Sequence, residues 1–323
     1  MSSPPGYDAL LRGAAWVRRT DRGVVRLRGA DRVTWLQGLV TNDVSAIAAG
    51  QRIYSAYLTP QGRMITDLWV VATPDTLLLD VPAALASSLV ARLEGLIFAE
   101  DVQIDDASRE MAVLQIFGAS ATDGTDADTA GTDATDGQMS GLLEIGDATF
   151  GVPSRVVYVP VQEMDQFASK RLGSHLEVGL DALDVLRVEA GVPRFMVDMT
   201  EDTIPLEAGL EDRAISFTKG CYVGQEIIVR VTTRGGGRVA RKLVGLRLED
   251  GAEPPPAGAA IHAGERAVGR ITSAVFSPRC AGVIALGYVH RDFTEPGTRL
   301  EVHYDARSLA ATVHALPFVA PAP

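Results

Sequence analysis

The feature that most limits how this chain can fold is a change of rhythm near Arg238 to Leu243. Before it, strand-like runs alternate with stretches long enough for helices of ten or more residues, which predicts α+β or α/β layers. After it only short strand-like runs remain, at 243–248, 261, 267–273, 282–289, 299–304 and 310–316. Asp250-Gly251, Pro254-Pro255-Pro256, Ala263-Gly264, Ser277-Pro278 and Pro296-Gly297 supply turns between them. Short strands at that spacing predict an all-β barrel or sandwich. The expected division is an α+β region of two intertwined subdomains over residues 1–240 and a β-barrel domain over 241–323.

Within the first region, 24–28 reads as a strand. Asp31 reads as the cap of a helix with Val33, Leu36, Leu39 and Val40 on one face. Strands at 53–58 and 64–71 are joined through Pro60-Gln61-Gly62, a hairpin turn. Alternation along the second strand puts Ile65, Asp67, Trp69 and Val71 on one face. Asp67 is therefore a carboxylate among large apolar groups, either a register artefact at a loop end or a deliberately placed polar group. Another strand is expected at 77–81, then a helix from Pro82 to Glu94 with the proline as its first residue. Strands follow near 102–104, 111–117, 142–145 and 155–159. Helices follow at 162–172 and 181–190, the latter closed by Gly191 and Pro193. Between Gly118 and Ser140 the pattern stops. Ala, Thr, Asp and Gly there cannot bury apolar surface, so 119–140 reads as a disordered acidic insertion.

Charge and composition exclude several functions. A net charge of -11 argues against general nucleic-acid binding. No apolar run approaches the roughly 20 residues needed to cross a bilayer. Met1 to Arg19 carries Pro4, Pro5 and Asp8, which suit neither a signal nor a transit peptide. Cys221 and Cys280 are the 2 cysteines, too few for a disulfide framework and without paired metal-ligand spacing. The 5 histidines form no H-x-x-x-H. A cytoplasmic protein without a permanently bound metal is expected. From Ile227 to Leu248 there is no carboxylate, while Arg230, Arg234, Arg238, Arg241, Lys242 and Arg247 are basic. That strip is either a solvated face or a local site for a polyanion such as a polyglutamate tail.

The stretch K-G-C-Y-V-G-Q-E-I-I-V-R, Lys219 to Arg230, carries the sharpest chemical signal. Gln225 and Glu226 open a run that reads as the first turns of a helix. A thiol before a helix N-terminus and two positions from a lysine is biased toward thiolate. Cys221 is thus a candidate reactive sulfur, or else a small buried apolar side chain.

R-V-E-A-G-V-P-R-F, I-P-L-E-A-G-L and F-T-K-G-C-Y-V-G-Q-E together resemble the folate-binding YgfZ family, a relative of the glycine cleavage T-protein (aminomethyltransferase). L-R-G-A-D-R-V-T-W-L-Q-G-L-V-T-N-D-V, L-T-P-Q-G-R and V-G-R-I-T-S-A-V-F-S-P extend the resemblance over most of the chain. It implies an α+β fold of the T-protein type, a three-domain cloverleaf of two mixed α/β domains and a C-terminal barrel. It also implies tetrahydrofolate as cofactor and a role in assembling or repairing iron–sulfur enzymes, with iron–sulfur client or carrier proteins as partners. Cys221 would be the functional thiol, with Lys219 beside it and Tyr222, Gly224, Gln225 and Glu226 as its setting. Glu189 would hold the pterin, whose adjacent N–H groups suit a bidentate carboxylate, and Arg230 would belong to the strip facing the glutamyl tail. T-proteins carry two adjacent aspartates after the hairpin turn, one of them catalytic, where this chain has Thr66-Asp67. The alternatives are a one-carbon transferase with Asp67 as its catalytic carboxylate and a non-catalytic folate-binding scaffold.

Overall fold

The computed structural model describes residues 3–118, 142–234, 238–249 and 251–321, with the side chain of Arg234 excepted. The insertion expected at 119–140 lies outside the described residues. Helix α1 (Tyr7–Leu11) precedes β1 (Ala15–Arg18) and β2 (Arg22–Arg28). Helix α2 (Arg32–Gln37) follows, then β3 (Arg52–Leu58), β4 (Met64–Ala72) and β5 (Leu77–Pro82). Helix α3 (Ala86–Glu94) leads to β6 (Gln103–Asp106) and β7 (Met111–Phe117). Beyond the insertion come β8 (Leu143–Asp147), β9 (Ser154–Pro160), α4 (Met164–Phe167), β10 (Leu176–Glu177) and α5 (Leu180–Glu189).

Two open sheets form from these strands. The first has the order β3-β4-β5-β2-β6 and the second β10-β1-β7-β9-β8. Neighbours in the first are antiparallel throughout, and in the second only β1 and β10 are parallel. One face of the first sheet, with Val25, Leu27, Leu68, Val70, Leu79 and Val81, packs against Leu36 of α2 and Leu89 and Leu93 of α3. The other face meets the second sheet through Val24, Val71, Leu78, Val113, Val156 and Tyr158. Alternation along the strands produces both faces at once, since each neighbouring residue turns to the opposite side.

Three helix expectations change in detail. Pro82 ends β5 rather than opening a helix, and α3 starts only at Ala86 after a tight turn. Asp31 stands at the cap position of α2, but its carboxylate accepts the Asp101 backbone N–H at 2.8 Å and caps nothing. The helix expected at 162–172 is regular only over Met164–Phe167 and widens over Ala168–Leu172.

A loop crosses from α5 through α6 (Glu211–Ala214) to α7 (Gln225–Val229). Phe195, Met199, Leu206, Leu210, Ile215, Tyr222 and Ile228 in this stretch pack on Tyr54, Ala56, Leu58 and Met64. The barrel then closes from β11 (Arg241–Leu248), β12 (Ala260–Ala263), β13 (Arg266–Ser277), β14 (Gly282–His290), β15 (Arg299–Tyr304) and β16 (Arg307–His314). Its order is β11-β14-β13-β12-β15-β16, and closure leaves no free edge. Strand β14 is buried on both faces. Val283, Ala285 and Val289 fill the barrel, while Ile284 and Leu286 pack against Val188 of α5. That double burial explains why its sequence is continuously apolar. The molecule is thus two open, helix-flanked sheets followed by a closed six-stranded barrel, the mixed α/β and all-β division expected from the sequence.

Candidate functional site

A solvent-open cavity lies where the two sheets meet the loop after α5. The inter-sheet face is apolar at Val24, Val71 and Leu78 but charged around Arg22, Asp67 and Asp80. Register sets this up: Trp69 pairs with both Tyr54 and Asp80, and Val24 with Asp80. Tyr54, Trp69 and Phe150 give the cavity aromatic walls, with the Tyr54 and Trp69 ring centroids 5.1 Å apart. The remaining character is cationic: Arg19, Arg22, Arg52, Arg187, Arg194 and Arg213 all line it.

Asp67 is the unusual group. Its side chain is nearly sealed, with a residue exposure of 5%. Tyr54 donates its hydroxyl to Oδ2 at 2.9 Å, and Arg22 Nη1 stands 3.8 Å from Oδ1. Oδ1 itself accepts no hydrogen bond. A buried carboxylate oxygen without a donor is costly, so such an atom marks either strain or a place kept for a ligand. Burial raises the Asp67 pKa above the ordinary carboxylate value. Arg22 and the Tyr54 hydroxyl oppose that shift, and the nearby Asp80 charge adds to it.

Asp80, by contrast, is fully engaged. It accepts from Arg22 Nε at 2.5 Å and from the Tyr158 hydroxyl at 2.8 Å. Burial works against the Arg22 charge, but Asp80 and Asp67 hold its pKa above the usual arginine value. Arg52 pairs with Asp147 at 2.5 Å and lies 3.9 Å over the Trp69 ring. Arg19 pairs with Asp21, Arg187 with Asp184 and Asp198, and Arg194 with Asp184.

The other sequence-predicted residues lie elsewhere. Glu189 is fully buried and away from the cavity lining. Its carboxylate accepts from the Tyr7 hydroxyl at 2.7 and 2.9 Å, from Ser277 at 2.5 Å, and from both Arg279 Nε and Nη2. In this arrangement the carboxylate is an internal strut between α1, α5 and the β13–β14 turn. Cys221 is exposed but does not line the cavity. Helix α7 opens at Gln225 as the sequence indicates, with Gly224 at its cap position, so Cys221 stands on the loop three residues ahead of the cap.

Lys219 turns away to the loop after α2. Its ammonium donates to the carbonyls of Gln37, Val40 and Asn42 at 2.6, 2.8 and 2.8 Å. Burial lowers its pKa to about 8, against the pull of Asp43, while the three carbonyls occupy all three donors of the charged form. It thus closes a chain turn. Tyr222 is buried in the core under that ammonium, with 5.3 Å from Nζ to the ring centroid, and burial pushes its pKa up to about 12. Gln225 is half-buried, Glu226 and Arg230 are exposed, and none of the three lines the cavity. The basic strip is likewise outside it: Arg241 pairs with Glu207, and Arg247 donates to the Cys280 carbonyl.

Within the octamer K-G-C-Y-V-G-Q-E, Lys219 to Glu226, Gly224 has a visible task against Gly62 of the hairpin. Gly224 has φ 83 and Gly62, in the β3–β4 turn, has φ 73. A Cβ on Gly224 would stand 2.6 Å from the Thr59 carbonyl oxygen and 3.3 Å from the Gly62 Cα. A Cβ on Gly62 would stand 2.8 Å from Ile227. The motif thus clamps the hairpin whose second strand carries Asp67. Among the described residues no group of three or more His, Cys, Asp or Glu side chains is arranged to hold a metal, and no helix is long and apolar enough to cross a membrane.

Known proteins of the same build are numerous. The family profile described as the GCVT N-terminal domain matches residues 13–145, and that of the glycine cleavage T-protein C-terminal barrel domain matches residues 241–320. An aminomethyltransferase from Halalkalibacterium halodurans is 30% identical over 97% of this chain and 88% of its own length. One from Nostoc sp. is 28% identical over 97% of this chain and 86% of its own length. The crystal structure of glycine cleavage system aminomethyltransferase T from Bartonella henselae superposes with a TM-score of 0.85 at 24% identity, covering 99% of this chain and 91% of that one.

Proposed function

Since the chain belongs to the glycine cleavage T-protein family of aminomethyltransferase homologues, we propose that it is a tetrahydrofolate-dependent one-carbon transferase working in the inter-sheet cavity. The observation that carries this reading is Asp67 Oδ1, a buried carboxylate oxygen left without a donor inside that cavity. The residues present suit a reduced folate: aromatic walls for a flat ring, an unsatisfied acceptor for a ring N–H or an amine, and a cationic lining for an acidic tail. When bound, tetrahydrofolate supplies the nitrogen atoms that carry a one-carbon unit. Asp67 accepts an N–H at Oδ1 and, with its raised pKa, holds or returns the proton as the amine changes its bonding. Tyr54 and Arg22 fix the orientation of that carboxylate, and the sheet-to-sheet packing keeps bulk water from its inner side.

The test is Asp67→Asn, assayed for formation of methylene-tetrahydrofolate from an aminomethyl donor and, separately, for tetrahydrofolate binding by calorimetry. Turnover should fall by about 10²–10⁴-fold while tetrahydrofolate still binds. Unchanged turnover, or a wild type that binds no tetrahydrofolate, overturns the reading.

A second reading rests on a different observation. The exposed Cys221 sits on a loop, outside the cavity, whose residues match every fixed position of the YgfZ pattern K-G-C-Y-x-G-Q-E. In that reading the chain is a tetrahydrofolate-dependent accessory factor for iron–sulfur enzymes, and a partner brings the further ligands that a lone thiol lacks. Cys221→Ala should then lower iron–sulfur enzyme activities in the cell without changing tetrahydrofolate affinity. Normal activities in cells carrying that variant would rule the role out.

A further inference from the structure

The cation beside Asp67 stops short of it. Arg22 Nη1 stands 3.8 Å from Oδ1, although both side chains are buried, and that is about 0.6–1 Å beyond hydrogen-bond range. A guanidinium and a buried carboxylate oxygen without a donor would otherwise meet, since each satisfies the other. What holds Arg22 back is Asp80. Strand β5, which carries Asp80, runs between β2 with Arg22 and β4 with Asp67, so the arginine has to reach past Asp80 to meet Asp67. Arg22 donates Nε to Asp80 Oδ1 at 2.5 Å and Nη2 to the Asp80 main-chain carbonyl at 2.6 Å. Two bonds to one residue fix the guanidinium plane and leave Nη1 as the nitrogen that leans toward Asp67. Asp80 cannot follow the arginine, because Oδ2 accepts the Tyr158 hydroxyl at 2.8 Å from the other sheet.

We propose that Asp80 is a positioning residue: it holds Arg22 away from Asp67, so that Oδ1 stays open for an N–H of the bound reactant. The assignment deepens the one-carbon reading given above and rests on it. The other charges around the site leave this task to Asp80. Arg22 on β2, Tyr54 on β3 and Asp80 on β5 are the groups that act on Asp67 directly. Arg52 on β3 is taken by Asp147, and Arg213 of α6 rests on the Tyr54 ring. Among the described residues Arg22 is the cation in ion-pair range of Oδ1, and Asp80 decides where its guanidinium lies.

Asp80→Asn keeps the shape of the side chain and removes the charge that competes for Arg22. A crystal structure of that variant without ligand should place an Arg22 nitrogen within hydrogen-bond distance of Asp67 Oδ1. Infrared titration of the Asp67 carboxyl, with Asp67→Asn as the blank, should move down by about one pH unit or more, because a closer guanidinium and the loss of a neighbouring negative charge both favour the carboxylate. Tetrahydrofolate affinity, measured by calorimetry, should fall about tenfold or more, since the acceptor is now occupied. The double variant Arg22→Gln with Asp80→Asn replaces the buried ion pair by two neutral amides and opens Oδ1 again, while Tyr54 still holds Oδ2. It should recover most of the lost affinity, a rescue that a merely structural Asp80 would not allow. Should Asp80→Asn alone fail to fold, the double variant should still bind tetrahydrofolate nearly as tightly as the wild type, and a folded double variant that binds none overturns the proposal. So does an unmoved guanidinium, an unmoved titration or an unchanged affinity in Asp80→Asn, or a double variant that binds no better than the single one. A wild type that binds no tetrahydrofolate overturns the one-carbon reading instead, and the structure and the titration, both obtained without ligand, still decide the role of Asp80.

Discussion

Thr66 and Asp67 point to opposite sides of β4, as neighbours in a strand must, and this decides what their departure from a double-aspartate pattern means. Thr66 is buried and donates to the Asp67 carbonyl, while Asp67 lines the cavity. The carboxylate that faces the cavity is the one this chain keeps. Its burial also has a thermodynamic sign. The folded chain holds a proton on Asp67 at pH values where the unfolded chain, titrating at about 3.9, has released it. Stability from this group therefore falls as pH rises from about 4 through the folded pKa, and the cost of the buried charge is fully present above it. Asp67→Asn should accordingly melt higher than the wild type at pH 7, and the difference should shrink toward pH 4. Thermal denaturation of both proteins across that range checks this, and a variant that melts lower at pH 7 contradicts it. A gain in stability with a loss of activity is what a functional, poorly satisfied carboxylate gives on removal.

Among elements, the β3–β4 hairpin and α7 act as one unit through Gly62 and Gly224. Gly224→Ala forces a side chain into a left-handed backbone and against the Thr59 carbonyl. It should cost at least about 1–2 kcal/mol, read as a lower urea midpoint. An unchanged midpoint would mean that the clamp is dispensable. Glu189→Gln tests a second joint. It leaves Arg279 facing a neutral amide and weakens the tie between α1, α5 and the β13–β14 turn, for a loss of about 3 kcal/mol. Tetrahydrofolate affinity should not change, because Glu189 is not in the cavity lining. A variant of normal stability that no longer binds tetrahydrofolate would return Glu189 to the pterin.

These elements also show what could be read from the sequence. The hairpin, the apolar alternation of β4 and the barrel strands were legible, because period and turn residues are local properties. Asp67 stood out for the same reason, as a carboxylate on an otherwise apolar face. The rest of the site was not legible. Arg19, Arg22, Arg52, Arg187, Arg194 and Arg213 are scattered over the chain, and only the packing of the two sheets and α6 brings them together. The octamer's regularity suggested chemistry at Cys221. Part of it is accounted for by backbone needs: a positive-φ glycine, Gly224, set against Gly62 of the hairpin, and a lysine closing a turn.

On the scale of the whole molecule, the barrel has its own core and is joined to the remainder by the apolar face of α5 on β14, by the Glu189 strut and by a polar knot around Asp198. Asp198 accepts from Thr272 at 2.6 Å and Ser273 at 2.7 Å on β13, and from Arg187 at 2.6 Å at the edge of the cavity. Arg187 in turn donates to Ser273 at 2.8 Å. Asp198→Ala should loosen the barrel's attachment without unfolding it, since the apolar interior around Ile261, Val289 and Val302 is untouched. Scanning calorimetry should then resolve two transitions. A single lowered transition would show that barrel and sheets fold as one cooperative body.

The two glycines that touch across the octamer have one further effect. They leave no cushion of side chain between the loop displaying Cys221 and the turn leading into β4. Whatever grips the molecule at that sulfur pulls, through bare backbone, on the wall of the chamber behind it, so occupancy outside and events inside would be mechanically linked.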